Sequence, residues 1–271
     1  MNNAQIDSFN IYPVTTEEID KYIIGLSGYK EQREEIDLIA KLVFNNHDAN
    51  KKYYDFLHIN GNILLYGKPG TGKTTIAYEC AQKNKKANFY CLNLSSLISE
   101  KLGKTSRGIN YFFENVISES ERYPVIVLIE EIEAFLPNRD SSKDLQDMKR
   151  ALTTFMHYLD MSIPNLLLIA TTNYKSHLDS AILRRFSFQF NIEELSKNDI
   201  IEFLQNEQNP FSSYFTDSNT VSQIADYAVE HKITISSIKN MMRKLLLRNN
   251  VNASCVNSSN LFSLMKEENS L

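Results

Sequence analysis

The stretch Asn62-Ile63-Leu64-Leu65-Tyr66-Gly67-Lys68-Pro69-Gly70-Thr71-Gly72-Lys73-Thr74 decides the fold. Asn62–Tyr66 is a short apolar run ending on a glycine, which predicts a buried strand, and Thr74–Gln82 carries a helical pattern. Between them lies G-x-x-x-x-G-K-[ST], in the strand–loop–helix setting that this pattern needs. Gly67, Gly70 and Gly72 let the backbone curl close to phosphates, so that amides and the positive end of the following helix face the anion. Lys73 is placed to bridge β- and γ-phosphates, and the Thr74 hydroxyl to ligate Mg²⁺. A glycine-rich turn that matches by accident is the competing reading; the flanking strand and helix argue against it.

Working outward, Asn88–Leu94, Val125–Ile129, Leu166–Ala170 and Phe186–Asn191 read as further strands. Helical patterns cover Glu31–Phe44, Ser106–Ser120 and Asp144–Leu159. Strands alternating with helices imply an α/β fold: a mostly parallel five-stranded sheet covered on both faces. The third run ends in Glu130-Glu131, so an acidic pair leaves a buried strand at its carboxyl end, where such sheets bind ligands. One carboxylate can hold Mg²⁺ through its water shell and the next can polarise an attacking water. An acidic helix start is the alternative for that pair. Asn173, just past the fourth run, can orient the lytic water, although an Asn that ends a strand is also a common turn residue. Arg184 and Arg185 have no evident place beside this chain's own nucleotide. They are candidates for arginine fingers that reach a neighbour's site, against the reading of two surface arginines.

The totals narrow the class. The 271 residues suffice for one large domain with a satellite, and 42% hydrophobic with 23% charged residues is an ordinary globular balance. A net charge of −4 gives no global basic field, which argues against a nucleic-acid partner without removing a local patch. Cys80, Cys91 and Cys255 share no metal-binding spacing and read as ordinary thiols of a reducing compartment. The polar amino terminus lacks a signal core, and the longest apolar runs fall far short of the roughly 20 residues of a membrane helix. No membrane association and a cytoplasmic location are therefore expected.

The expected organisation is an arm over 1–20, a nucleotide-binding α/β body over 21–195, a small helical lid over 196–249, and an Asn/Ser-rich tail over 250–271, in which Leu261–Met265 has the character of a docking segment.

These motifs in this order resemble the AAA+ ATPases, and within them the AAA clade with a second region of homology, from about Ile23 to Leu247. Gly67–Thr75 is similar to the Walker A segment, so Lys68, Pro69, Thr71 and Thr75 join the nucleotide contacts. Leu128–Leu136 resembles Walker B, with Thr74 and Glu130 on the metal and Glu131 on the water. Ile169–Asn173 is similar to sensor 1, and Leu178–Phe186 to the arginine-finger segment. Ile24-Gly25-Leu26 looks like the segment that packs on adenine, giving Gly25 to the cofactor. Arg150–Asp160 matches the family helix that ends in Leu-Asp, and Ser236-Ser237-Ile238 falls at the sensor-2-like turn, without its arginine. The resemblance implies ATP and Mg²⁺ as cofactors and a hexameric ring that spends hydrolysis on remodelling or translocating a protein client.

Three departures qualify what the resemblance implies. Glu130 stands where the family has Asp. The finger segment lacks the Pro-Gly between its arginines, leaving Arg184 and Arg185 both as candidates. Lys101 occupies the aromatic position of the peptide-gripping loop, with Lys104 nearby, so an anionic substrate competes with two solvated lysines. Two further functions stay open: a nucleic-acid-associated helper such as a loader or a nuclease or transposase partner, and a slow-hydrolysing ATP-dependent switch or scaffold.

Overall fold

The computed structural model describes residues 12–24, 26–45, 56–57, 59–94, 105–135, 142–193 and 195–269. In chain order its elements begin with helices α1 (Thr16–Ile23) and α2 (Lys30–Asn45), strand β1 (Asn62–Tyr66), α3 (Lys73–Lys83), β2 (Asn88–Asn93) and α4 (Thr105–Ser120). Then come β3 (Val125–Glu130), a short 3-10 turn (Ile132–Phe135), α5 (Ser142–Asp160), β4 (Leu166–Thr172), α6 (Ser180–Leu183) and β5 (Phe188–Asn191). The helices α7 (Lys197–Gln205), α8 (Ser218–Glu230), α9 (Ile235–Arg248) and α10 (Ser258–Asn269) follow.

The five strands form one sheet in the order β2-β3-β4-β1-β5, and every pairing is parallel. The expected α/β fold with a five-stranded parallel sheet is what the chain adopts. The apolar runs look continuous in sequence, yet the pleat divides them between two layers. Ile63, Leu65, Ile126, Leu128, Leu167 and Ile169 face a core closed by α2 and α3. Leu64, Val125, Val127, Ile129, Leu168 and Ala170 face a second core closed by α4 and α5. Burial of both faces explains why no polar residue interrupts β3 before Glu130.

The register positions the site. Tyr66 pairs with Thr172 and Ile129 with Ala170, so the carboxyl ends of β1, β4 and β3 emerge side by side. The loops that follow them carry the glycine-rich segment, Asn173 and the acidic pair. Sequence motifs far apart along the chain therefore meet at one end of the sheet.

Two segments pack differently from the sequence reading. Helix α1 starts inside the stretch expected as an arm and runs past its end at residue 20 to Ile23, its start fixed by a capping box between Thr15 and Glu18. Ile19 is buried, and Tyr22 stacks on Tyr78 of α3 with ring centroids 4.1 Å apart. The stretch expected as a tail after Asn249 contains α10. Its Leu261, Leu264 and Met265, together with Val256, lie in the same core as Phe203, Ile224 and Ile238 of the helical part. Those three residues recur at helical spacing, and burying them outweighs the weak helix propensity of the Asn/Ser-rich stretch ahead.

The helical part is otherwise built from local signals. Ser196 and Asp199 form a capping box at the start of α7. At its end the side chain of the buried Asn209 donates to the carbonyls of Phe203 and Leu204, both at 3.1 Å. Asp217 and Thr234 cap α8 and α9.

Candidate nucleotide site

The loop between β1 and α3 owes its shape to glycine at positions where a side chain is excluded. Gly67, Gly70 and Gly72 have φ of +152°, +79° and +103°. A Cβ on Gly67 would lie 2.4 Å from the Ile192 carbonyl oxygen, inside any tolerable contact. Around Gly72 a Cβ would meet nothing, so there the backbone conformation alone sets the requirement.

The Lys73 ammonium folds back into this loop and donates to the carbonyls of Gly67 and Lys68, both at 2.8 Å. The Thr71 hydroxyl donates to the Lys68 carbonyl at 3.0 Å and closes the turn. Lys73 is buried, and burial pushes its pKa down to about 8, against the opposing fields of Glu133 and Glu193. A buried ammonium held only by carbonyls beside an open cradle suits a polyanion, which supplies the countercharge that the protein withholds.

One cavity of about 380 Å³ collects Pro69, Gly70, Thr71, Gly72, Lys73, Thr74 and Thr75 with Glu130, Glu131, Thr171 and Asn173. Leu26, Ser27, Ile235, Ser236 and Lys239 complete its wall from the segment before α2 and from α9. Thr74 Oγ1 donates to Glu130 Oε1 at 2.8 Å. The longer arm of glutamate thus reaches the Thr74 hydroxyl at the foot of the cradle. Hydroxyl and carboxylate oxygens side by side fit Mg²⁺, which takes one or two carboxylates, keeps waters and binds phosphates. Cys91 on β2 donates to the other carboxylate oxygen, Glu130 Oε2, at 3.5 Å, and burial followed by the Glu130 charge pushes its thiol up to about 12.

Beyond Glu130 the chain enters a left-handed turn, with Glu131 at φ +55° and its amide donating to Thr171 Oγ1 at 3.3 Å. This swings the Glu131 side chain away from the sheet into the open part of the cavity, where it is exposed. The Asn173 amide donates to Glu133 Oε1 at 3.0 Å. Glu133 therefore braces the loop that carries Asn173, a role the sequence reading missed. The signal was the acidic residue two positions after Glu131. Ser236, expected at the sensor-2-like turn, lines the cavity from the first turn of α9; Lys239, one turn further on, was not foreseen there, because only tertiary folding brings that helix over the cradle.

The two arginines lie elsewhere. The Arg185 carbonyl accepts from the side chains of Asn60 and Asn62, at 3.1 and 3.0 Å, at the amino end of β1. The cradle is at the carboxyl end of that strand, about 16 Å away for five residues. The Arg185 guanidinium is turned inward, donating to Asp160 Oδ2 at 2.8 Å and to the Ala181 carbonyl at 2.6 Å. Arg184, next to it, is exposed. Gly25, Lys101 and Lys104 lie outside the described residues.

Residues 63–194 match the family described as "ATPase family associated with various cellular activities (AAA)". CD-NTase-associated protein 6 of Pseudomonas aeruginosa is 34% identical over 161 residues, covering 55% of this chain and 53% of that protein. Spastin of Naegleria gruberi is 33% identical over 171 residues, 59% of this chain and 31% of that protein. The chain thus spans about half or less of the length of these relatives. A chain in the structure of the E. coli MS115-1 HORMA:CdnC:Trip13 complex superposes with a TM-score of 0.72 at 16% identity, covering 95% of this chain and 94% of its own, a likeness of fold. The parallel sheet, the motifs gathered at its carboxyl end and the family match together make residues 63–194 an ATPase domain of the AAA family.

Proposed function

We propose that the chain hydrolyses ATP with Mg²⁺ at a site completed by a neighbouring copy in a ring, and uses the turnover to remodel a protein partner in the cytoplasm. The observation that carries this reading is the division of the site. The phosphate cradle, Glu130, Glu131 and Asn173 line one cavity, whereas Arg184 and Arg185 lie a strand's length away at the opposite end of β1. An arginine at that distance serves only a second molecule. Lys73 holds the phosphates, Thr74 and Glu130 hold the metal, Glu131 takes the proton of the attacking water, and Asn173 orients that water. When bound, Mg²⁺ supplies charge neutralisation at the phosphates.

The contact of Glu130 with Thr74 supports an active ATPase over a slow switch, because the extra methylene has been absorbed. A protein client is supported by the relative named for association with a CD-NTase and by the fold neighbour solved with HORMA and CdnC. The net charge of −4 weighs against nucleic acid.

Mixing two inactive variants tests the shared site. Arg184→Ala lacks the finger and Glu131→Gln lacks the base, but each retains what the other has lost. An equimolar mixture regains ATPase activity if the site is shared, and a mixture as inactive as its components sinks the proposal. Capture of a client by the Glu131→Gln protein with ATP, lost when ATP is replaced by ADP, tests the second half.

A further inference from the structure

The geometry points to Cys91 as a positioning residue for Glu130, its thiol holding the second carboxylate oxygen so that the longer glutamate presents the first one at the metal position. The inference rests on the reading of Glu130 as the metal-side carboxylate.

The argument begins with reach. A glutamate side chain carries one more rotatable bond than an aspartate, so a single contact at Oε1 leaves the carboxylate free to rotate about it. A second contact removes that freedom. Thr74 fixes Oε1 at 2.8 Å, and Cys91 fixes Oε2 at 3.5 Å, a normal length for a sulfur donor. The sheet dictates the pairing. Cys91 is opposite Leu128 in the β2–β3 ladder, and Leu128 and Glu130 point to the same face, so the thiol sits diagonally beside the carboxylate. The direction of the bond is set by chemistry. An ionised carboxylate only accepts, so the thiol S–H is the donor. The site is also packed. Tyr78 of α3 faces Cys91, and its ring is locked edge-on against Phe89 at 4.8 Å. Cys80, buried elsewhere on α3, and Cys255, in the helical part, make no such contact with the acidic pair.

The first test needs no nucleotide. In the infrared spectrum of the intact protein, the S–H band assigned to Cys91 by its loss in Cys91→Ser is expected below the bands of the other two thiols. It should rise when Glu130→Ala removes the acceptor. A band that does not move overturns the inference, whatever the protein does with ATP.

The second test titrates Mg²⁺ against the affinity for a fluorescent ATP analogue. Cys91→Ala is expected to raise the half-maximal Mg²⁺ concentration about fivefold, the effect of one modest hydrogen bond. Cys91→Ser, which keeps a donor, should restore the wild-type value. In a Glu130→Asp background the shorter arm no longer meets the thiol, so Cys91→Ala should add no shift there. An equal shift in both backgrounds, or none in either, refutes the coupling. Failure of the wild type itself to respond to Mg²⁺ would instead refute the assignment of Glu130. Thermal melts of the wild type and the five variants identify any that has lost its fold.

Discussion

The phosphate cradle after β1 and the arginine pair before β5 flank two strands that pair directly, yet they are built in opposite senses. Polar groups in the cradle turn inward: the Lys73 ammonium rests on two carbonyls and the Thr74 hydroxyl on Glu130. In the arginine segment one side chain turns inward and its neighbour outward. Arg185 is bound to Asp160 and the Ala181 carbonyl, while Arg184 is exposed. The cradle is closed on itself by its own polar contacts; the arginine segment is a strut with an exposed charge mounted on it. Two adjacent, chemically identical residues have been assigned different work by the surrounding contacts.

The sharpest way to break this comparison is Arg184→Ala. Turnover should fall about 10³-fold, the scale of a lost arginine finger, with nucleotide affinity unchanged. A parallel fall in affinity, measured by equilibrium titration, would mean that Arg184 touches its own chain's nucleotide. Glu131→Gln should lower turnover by about 10²-fold or more while ATP stays bound, as expected when a general base is lost. Rapid-quench measurement of the hydrolysis step distinguishes this from slow product release.

A pH series probes the cradle. Burial holds the Lys73 pKa at about 8 in the free protein. Above that pH the free protein loses the proton that phosphates favour, so ATP affinity should fall by up to about tenfold per pH unit. The same group has the opposite sign for stability. Its folded pKa lies below the unfolded value, so its contribution to the stability of the free protein rises with pH from about 8 towards the ordinary lysine value of 10.5. A flat affinity between pH 7 and 9.5 would show that the ammonium is not the phosphate ligand. The smallest effect belongs to the strut. Arg185→Met should lower unfolding stability by about 1 kcal/mol, a charged hydrogen bond discounted because Asp160 is half exposed. Denaturant melts measure it, and an unchanged midpoint would remove the distinction between the two arginines.

Much of the α/β body was legible because its strands are apolar runs cut off by glycine, proline or acid. Val125–Glu130 between Tyr123-Pro124 and Glu131 is the clearest case. Strand order was not legible, since nothing along the chain says that β4 inserts between β3 and β1. The same limit hid Glu133, Lys239 and Cys91, whose partners are 40 residues away for Glu133 and 39 for Cys91. Cys91 in particular read as an ordinary thiol, because spacing tests detect metal clusters and not a diagonal neighbour across a ladder. Helix α10 was masked by composition. Leu261–Met265 read as a docking segment, and Leu261, Leu264 and Met265 are buried, but the Asn- and Ser-rich residues before them carried the reading towards a tail and not a helix.

Gly70 has one more consequence. A methyl group there would come within 2.9 Å of the Ser236 Cβ, at the start of α9. The helical part therefore leans on the phosphate loop itself, with no side chain as cushion. Any rotation of that part opens or closes a gap at the anion cradle, and any swelling of the cradle levers the four helices. The loop that shapes the cradle is also the fulcrum, so a fragment ending at residue 195 would lose a wall of the cavity along with its lever.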